Sequence, residues 1–526
     1  MQPNMKSKNL HIRVISLLLI LYYLLVAWLL FRSGFEHTER LFYSEKLKLL
    51  FEFKENTLLT LGTTYPTTVF LSAIIFAPFG YLFAPVAASI IMLTLLFYFM
   101  ASDLEKTDLP AKTIQTCLLL LFLFNWQFVF AAISGRNVAA IMLFFYLLFR
   151  SLFYYYRNQT TYYLSLASIY LTCLIFTEIN FIWMLLSFFP FIVLVSIEGI
   201  KVSKTDLPVF QYYQALNNRS LRRKLANRTL SLYLVLFLLP LGAVYLFRTL
   251  NSAHAGDPTY FLTSQYANWR VTGSTSLTTV LEMAKGANIA KQTQIVFQVF
   301  VAILSPIFIL SLLIFRGKLY ELFTILTPLI FFSIILIDTR IYLTVEYYVI
   351  VTVMGIAALG FYSTGKRIKK LTAPALYIAT ALTIYGSYYY FSETNDVEEQ
   401  QFFVSASQTS NWFRPRSQTE IQKLAEYIAA IKSPKRPVLI DDASAYGIVA
   451  YLPDLTGLVM PLQKSFVTVI ENPTLTVQYM VIAKRNNRLH NYTVMNAYNV
   501  GIMRERLQIQ PSRVFETENW VVYNIR

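Results

Sequence analysis

Charge is what this sequence has little of. Only 14% of its 526 residues are Asp, Glu, Lys or Arg, against roughly 25% in ordinary soluble domains. A surface that poor in charge excludes a conventional water-soluble globule, and it is what lipid contact requires, because charge near a bilayer centre is costly. Acid is scarcer than base, with 29 Asp and Glu against 45 Lys and Arg, a net charge of +16. Cysteine is almost missing. Cys117 and Cys173 both lie inside apolar runs, which argues against a disulfide framework or a Cys-ligated metal. Only four His occur, without close ligand spacing. His37, His254 and Asp257 therefore make a poor metal set. No metal ligand is assigned and the cofactor is unknown, with a divalent metal left open. No internal repeat or low-complexity tract is visible.

What is present is apolar and aromatic. Hydrophobic residues make up 56% of the chain, with 36 Tyr and 42 Phe, and the mean hydropathy is +0.49. Many aromatics lie near the ends of apolar runs, where they suit an interfacial belt. Excess positive charge can signal nucleic acid. Here it clusters between apolar runs, as the positive-inside rule expects, so no nucleic-acid partner is expected. The basic stretch from Met1 to Arg13 leads into an apolar run too long for a signal peptide and without a small-residue cleavage site, so it reads as an uncleaved first span.

Runs able to cross a core of about 30 Å lie near 12–31, 84–101, 113–133, 138–156, 162–177, 180–198, 230–248, 295–315, 321–337, 347–363 and 371–391. A further run, 67–82, is short and contains Pro78 and Gly80. Loop charge decides its role. If it crosses, the basic loop carrying Arg219, Arg222, Arg223 and Lys224 falls outside. If it stays on one side, that loop and the run Lys366 to Lys370 both fall inside with the N-terminus. The expected fold class is thus a polytopic α-helical membrane protein, with about eleven spanning helices, a juxtamembrane or re-entrant helix and a small C-terminal α/β soluble domain. The membrane domain covers 1–391, with outer loops 32–66 and 249–294. A linker over 392–416 leads to an extracytoplasmic α/β domain over 417–526.

In that tail, Ser417 with Glu420 three residues on suggests a capping box opening a helix over 417–432. Pro437 to Ile440 reads as a buried strand ending at Asp441-Asp442, and Val477 to Ala483 and Trp520 to Ile525 read as strands. The acidic turn lies at a strand's carboxyl end, a frequent ligand side of open α/β sheets. Capping the next helix is its simpler role.

Several short motifs fall in order along the outer face. They are Phe35 to Glu45 after the first span, Tyr65-Pro66 before an apolar stretch ending Phe79-Gly80, Ser134-Gly135-Arg136-Asn137, Arg340-Ile341-Tyr342, and the tail strands Val438 to Tyr446 and Asn519 to Arg526. In this order they resemble the GT-C class of integral-membrane glycosyltransferases, especially bacterial relatives of protein O-mannosyltransferases and lipid A aminoarabinose transferases. The first loop departs from the class pattern, having Glu36-His37 and Thr38-Glu39 where an Asp-Glu pair is usual. Thr67 stands in place of a second proline after Pro66.

The resemblance implies transfer of a sugar from a polyprenyl-phosphate donor to a glycan, lipid or protein acceptor on the extracytoplasmic face, with inversion. Such chemistry needs a base, cations for the departing phosphate and an apolar groove. Glu36 and Glu39 are the candidate bases, and being three apart they share a face if the loop is helical. They equally suit solvated charges on a juxtamembrane helix. Arg136 and Arg340, at outer turns, could grip phosphate bidentately or snorkel to headgroups. Glu178 interrupts an apolar stretch, a functional signal by default, unless it marks a plain turn. His37, Tyr65, Asp257, Arg270 and Tyr342 complete the candidate substrate-binding set. A transporter or flippase of a lipid-linked saccharide is the rival, but transporters favour midplane sites and repeated halves. A non-catalytic scaffold on the same fold is a third reading. Sequons at Asn158, Asn218 and Asn227 fall on the inner side and Asn491 outside, so a bacterial inner membrane is expected, with the N-terminus cytoplasmic and the C-terminal domain periplasmic.

Overall fold

The computed structural model describes residues 5–53, 55–105, 111–200, 208–273, 305–315, 319–335, 344–360, 372–394, 396–408, 412, 418–485, 487 and 508–526. Four described helices are long and apolar enough to cross a membrane: Leu10–Ser33, Ala84–Leu104, Val138–Asn158 and Arg219–Ala255. Two bent pairs bring the number to six if each pair is one span. The protein is an integral membrane protein.

Both bends have local causes. In the first pair, Lys112–Phe124 and Trp126–Ile133 meet at 58°. Between them the Asn125 side chain accepts from the Gln127 N–H at 3.0 Å, and the Ser387 hydroxyl accepts from the Trp126 N–H at 3.1 Å. A helix cap inside an apolar run frees backbone groups that would otherwise continue the ladder, and a neighbouring hydroxyl satisfies one of them. In the second pair, Pro190 follows the 42° break, where its missing N–H costs a helix start nothing. The run 67–82 forms an eight-residue helix, Thr67–Ile74, and a short turn at Ala77–Phe79. Eight residues rise about 12 Å, well short of a bilayer core.

The helix Val345–Gly360 is buried along all sixteen residues, so it runs through the middle of the bundle. Among the shorter apolar helices are also Thr161–Thr177 and Leu322–Ile335. Aromatic contacts tie the bundle, as where Phe181 stacks on Phe331 at 5.0 Å. At the far end of Val138–Asn158 from the site described below, Arg150 grips Asp103, and Tyr146 and Tyr154 donate to the same carboxylate.

The tail is a small mixed sheet with helices. Its strands are β1 (Val438–Leu439), β2 (Leu458–Val459), β3 (Tyr479–Ala483), β4 (Ser512–Glu516) and β5 (Trp520–Asn524), in the order β2-β1-β3-β5-β4. The first three are parallel, whereas β5 runs antiparallel to both β3 and β4. The helix expected over 417–432 is Glu420–Ile431, and its capping box is formed by Thr419 and Gln422. Ser417 lies outside the described residues. Thr419 is the cap because the helix begins at Glu420, which makes Gln422 the side chain that reaches back. The stretch between bundle and tail carries a helix, Val397–Ser407, capped by Asp396.

The loop that follows Leu10–Ser33 joins the two parts. Its helix Thr38–Lys48 is followed by a π-helical turn, Leu49–Phe53. Leu49 packs with Leu424, Ile428, Val438, Ile448 and Val522 of the tail, and Leu41 and Phe42 pack with Tyr446 and Ala450.

One close helix approach offers a test of the bundle. A Cβ on Gly355 would lie 2.8 Å from the backbone nitrogen and Cα of Phe308, so the helices Val345–Gly360 and Pro306–Ile314 touch where only hydrogen fits. Gly355→Leu should cost about 1–3 kcal/mol through overpacking, seen as a lower thermal midpoint in detergent. An unchanged midpoint would mean the backbones are not that close.

Candidate functional site

The helix Thr38–Lys48 starts at an extended His37, whose Nδ1 accepts from the Glu39 N–H at 3.2 Å. That start separates the two candidate acids. Glu39 lies inside the helix, while Glu36 precedes its cap, so the shared face expected from their spacing does not form. Glu36 turns to the tail, accepting from Gln422 at 3.0 Å and from the Tyr451 hydroxyl at 2.5 Å. Glu39 turns inward, fully buried.

Around Glu39 five charged side chains from five segments form an alternating ladder. Arg136 places Nε 3.4 Å from Glu39 Oε2 and Nη2 2.6 Å from Glu346 Oε1. Arg270 places Nη2 2.5 Å from Glu346 Oε2, and its Nη1 grips Glu178. Glu178 also accepts from Asn180 Nδ2 at 2.8 Å, which donates in turn to the Tyr347 hydroxyl at 2.8 Å. Tyr43, one turn on from Glu39, donates to Glu39 Oε1 at 2.7 Å. Trp269 has both guanidinium groups 5.8 Å from its ring centroid. All three acids of the ladder and Arg136 are almost wholly buried; Arg270 is less so.

Three carboxylates against two guanidinium groups leave the ladder one negative charge in excess. Burial raises the Glu39 pKa, and although Arg136 draws it down, Glu346 adds to the rise, so it reaches about 7. Arg136 Nη1 is buried and makes no hydrogen bond among the described residues. That leaves one guanidinium edge for an anion.

His37 stands at the ladder's flank, with Nε2 2.7 Å from Glu398 Oε2. Burial lowers its pKa. Since Nδ1 accepts a backbone N–H, the ring is neutral with its proton on Nε2. Tyr65 braces the second loop: its hydroxyl accepts from the Ile179 N–H at 2.6 Å, and its own N–H donates to Ala267 O at 2.8 Å.

Of the sequence candidates, then, Glu39 pairs with Arg136 and Glu178 with Arg270, the two pairs being joined through Glu346, with His37 and Tyr65 as neighbours. Asp257 takes no part in the ladder's bonds; it closes a turn by accepting from the Thr259 N–H and hydroxyl, both at 2.7 Å. Arg340 and Tyr342 lie outside the described residues. Sequence reasoning missed Glu346 and Glu398. Glu346 opens an apolar helix just past the Arg340-Ile341-Tyr342 turn, and an acid in a first helical turn is easily taken as a dipole partner. Among the described residues no three His, Cys, Asp or Glu side chains gather to hold a metal.

A comparison with solved structures finds ArnT from Cupriavidus metallidurans bound to undecaprenyl phosphate, with a TM-score of 0.50, 11% identity, and coverage of 97% of this chain and 98% of that one. The chain has an ArnT-like fold. The apo form of the same protein aligns with a TM-score of 0.47, at equal identity and coverage. No protein-family model and no curated protein matches the sequence.

A second buried cluster sits two turns along the same outer helix. Lys46 Nζ lies 3.0 Å from Glu45 Oε2 and 3.1 Å from Asp442 Oδ2. Burial and the neighbouring Asp442 raise the Glu45 pKa to about 8 despite Lys46. A pKa of about 8 favours the protonated form of Glu45 at neutral pH. A folded-state pKa above the unfolded value of 4.5 stabilises docking fully below pH 4.5, and that contribution is lost as pH rises towards 8. Thermal unfolding should show the tail's transition falling between pH 5 and pH 8, and Glu45→Gln should flatten that slope. An identical slope in the variant would remove Glu45 from the account.

Proposed function

We propose that the protein is a membrane glycosyltransferase that moves a sugar from a polyprenyl-phosphate carrier to an acceptor at the outer ends of its helices. The observation that carries the reading is the buried ladder, in which Glu39 stands beside an Arg136 edge that makes no hydrogen bond among the described residues. Support comes from the ArnT-like fold and from that neighbour being bound to undecaprenyl phosphate. The topology that fits has about eleven crossings, the N-terminus cytoplasmic, and ladder and tail on the periplasmic side of a bacterial inner membrane.

In this reaction an acceptor hydroxyl or amine attacks the anomeric carbon. A bond from that oxygen or nitrogen to carbon forms, and the bond from carbon to the phosphate oxygen breaks. Glu39 takes the acceptor's proton. Its pKa near 7 suits a base at neutral pH. Arg136, through Nη1, and Arg270 stabilise the charge gathering on the leaving phosphate, and Glu346 fixes both guanidinium planes beforehand. The apolar outer flanks would seat the lipid.

The test is transfer from a labelled polyprenyl-phosphate sugar by purified chain in lipid nanodiscs. Glu39→Gln should lower the rate by about 10²–10⁴-fold, the usual worth of a positioned base, while Glu36→Gln stays within a few-fold. The wild-type rate should fall as pH drops through 7, because Glu39 is then protonated. Full activity in Glu39→Gln would sink the base assignment, and no transfer from any such donor would sink the reading.

A further inference from the structure

The pair Asp441-Asp442 does more than cap a helix. Asp441 accepts from the Ala443 N–H at 3.1 Å, an ordinary N-cap, which Ser or Asn would perform as well. A cap needs one such residue. The second carboxylate, Asp442, is 3% exposed, and burying it costs the tail stability unless it is paired. Its pair comes from the membrane domain: Lys46, at 3.1 Å. Asp441 reaches across as well, accepting from the Tyr266 hydroxyl at 3.2 Å.

Those two partners stand on two of the five segments that supply ladder residues. Glu39, Tyr43 and Lys46 are spaced i, i+4, i+7, so they lie along one face of the helix Thr38–Lys48, and Tyr43 already touches Glu39. Tyr266 stands four residues before Arg270 in a braced loop. There Asn268 Oδ1 accepts from the Arg270 N–H at 3.0 Å, and Ala267 O accepts from the Tyr65 N–H at 2.8 Å. Adjacent carboxylates at one strand end therefore hold one segment each.

We propose that Asp441 and Asp442 are positioning residues that staple the Glu39 helix, through Lys46, and the Arg270 loop, through Tyr266, to one rigid strand end and so set the ladder's geometry. The inference rests on the transferase reading for its kinetic readout. Displacing a reacting group by an ångström can cost on the order of 100-fold in rate.

The test uses the full chain in nanodiscs. Tyr266→Phe, which removes one hydroxyl, and Asp442→Asn should each lower kcat about 10–100-fold, with KM for the acceptor unchanged within twofold. The exchanged pair Lys46→Asp with Asp442→Lys should recover most of the rate lost by Lys46→Asp alone. Asn56→Ala serves as the comparison, because Asn56 donates to Leu462 O at 2.7 Å and so loosens docking away from the ladder. An equal kcat loss in Asn56→Ala would overturn the staple, leaving docking alone. Hydrogen exchange gives a second readout: faster exchange over 264–270 in Tyr266→Phe and over 39–46 in Asp442→Asn is expected, and unchanged exchange in both overturns the staple. If the wild-type chain transfers no sugar, the transferase reading falls, while the exchange measurement still upholds or overturns the staple.

Discussion

Glu346 holds two arginines at once, and much of the outer architecture depends on that bridge. A carboxylate buried at the head of a fully buried helix is sustainable only when cations reach it. Arg136 arrives from the turn before Val138–Asn158, and Arg270 from the second outer loop. Each guanidinium, once buried, needs further acids. Glu39 and Glu178 supply them. Five segments far apart in sequence are thereby compelled to meet. Loss of any one member would strand a buried charge, an effect worth about 3–5 kcal/mol in comparable pairs.

The loop after the first span is the hinge of this arrangement between helix bundle and tail. It is rich in charge, yet the helix Thr38–Lys48 is buried over ten of its eleven residues. One reason is Leu49, which sits in the hydrophobic core of the soluble domain. Polar ties continue along the loop. Lys48 donates to Val449 O at 3.3 Å, Glu52 accepts from the Leu455 N–H at 3.1 Å, and Asn56 reaches Leu462 O. A loop that would otherwise be solvated is thus clamped from below by the bundle and from above by the tail. The tail is therefore part of the scaffold that fixes Glu39.

Much of this was legible in the residues and some was not, for physical reasons. Apolar periodicity and length marked the spans, and Pro78 with Gly80 marked the run that stops short. Arg136 and Glu178 stood out in the sequence because ionisable groups at the ends of apolar runs are few. The pairing was not legible. Glu346 looks like an ordinary acid in a first turn, and its role comes from two partners more than seventy residues away in either case. The spacing of Glu36 and Glu39 misled because it presumed a helix through both, whereas the helix begins after His37. A cap position is decided by backbone angles that spacing alone does not carry.

The contrast with Arg150 explains why the outer cluster, and not any buried ion pair, is the reactive candidate. Arg150 and Asp103 match one to one, with Nε and Nη2 on the two carboxylate oxygens at 2.5 and 3.1 Å, and two tyrosine hydroxyls complete the acceptor. Charge is balanced there, one acid against one guanidinium, and the pair acts as a clamp between two helices. The outer ladder is unbalanced. It holds three acids against two guanidinium groups, with Glu39 lifted to a pKa near 7 chiefly by burial and further by Glu346, and one guanidinium edge with no hydrogen bond among the described residues. The two surpluses are complementary: one can take a proton and the other can take an anion. Arg136 stands in the turn that precedes the helix Val138–Asn158, and Arg150 stands within that helix. A perturbed acid beside a guanidinium edge that makes no hydrogen bond among the described residues suits acid–base chemistry on a phosphate ester.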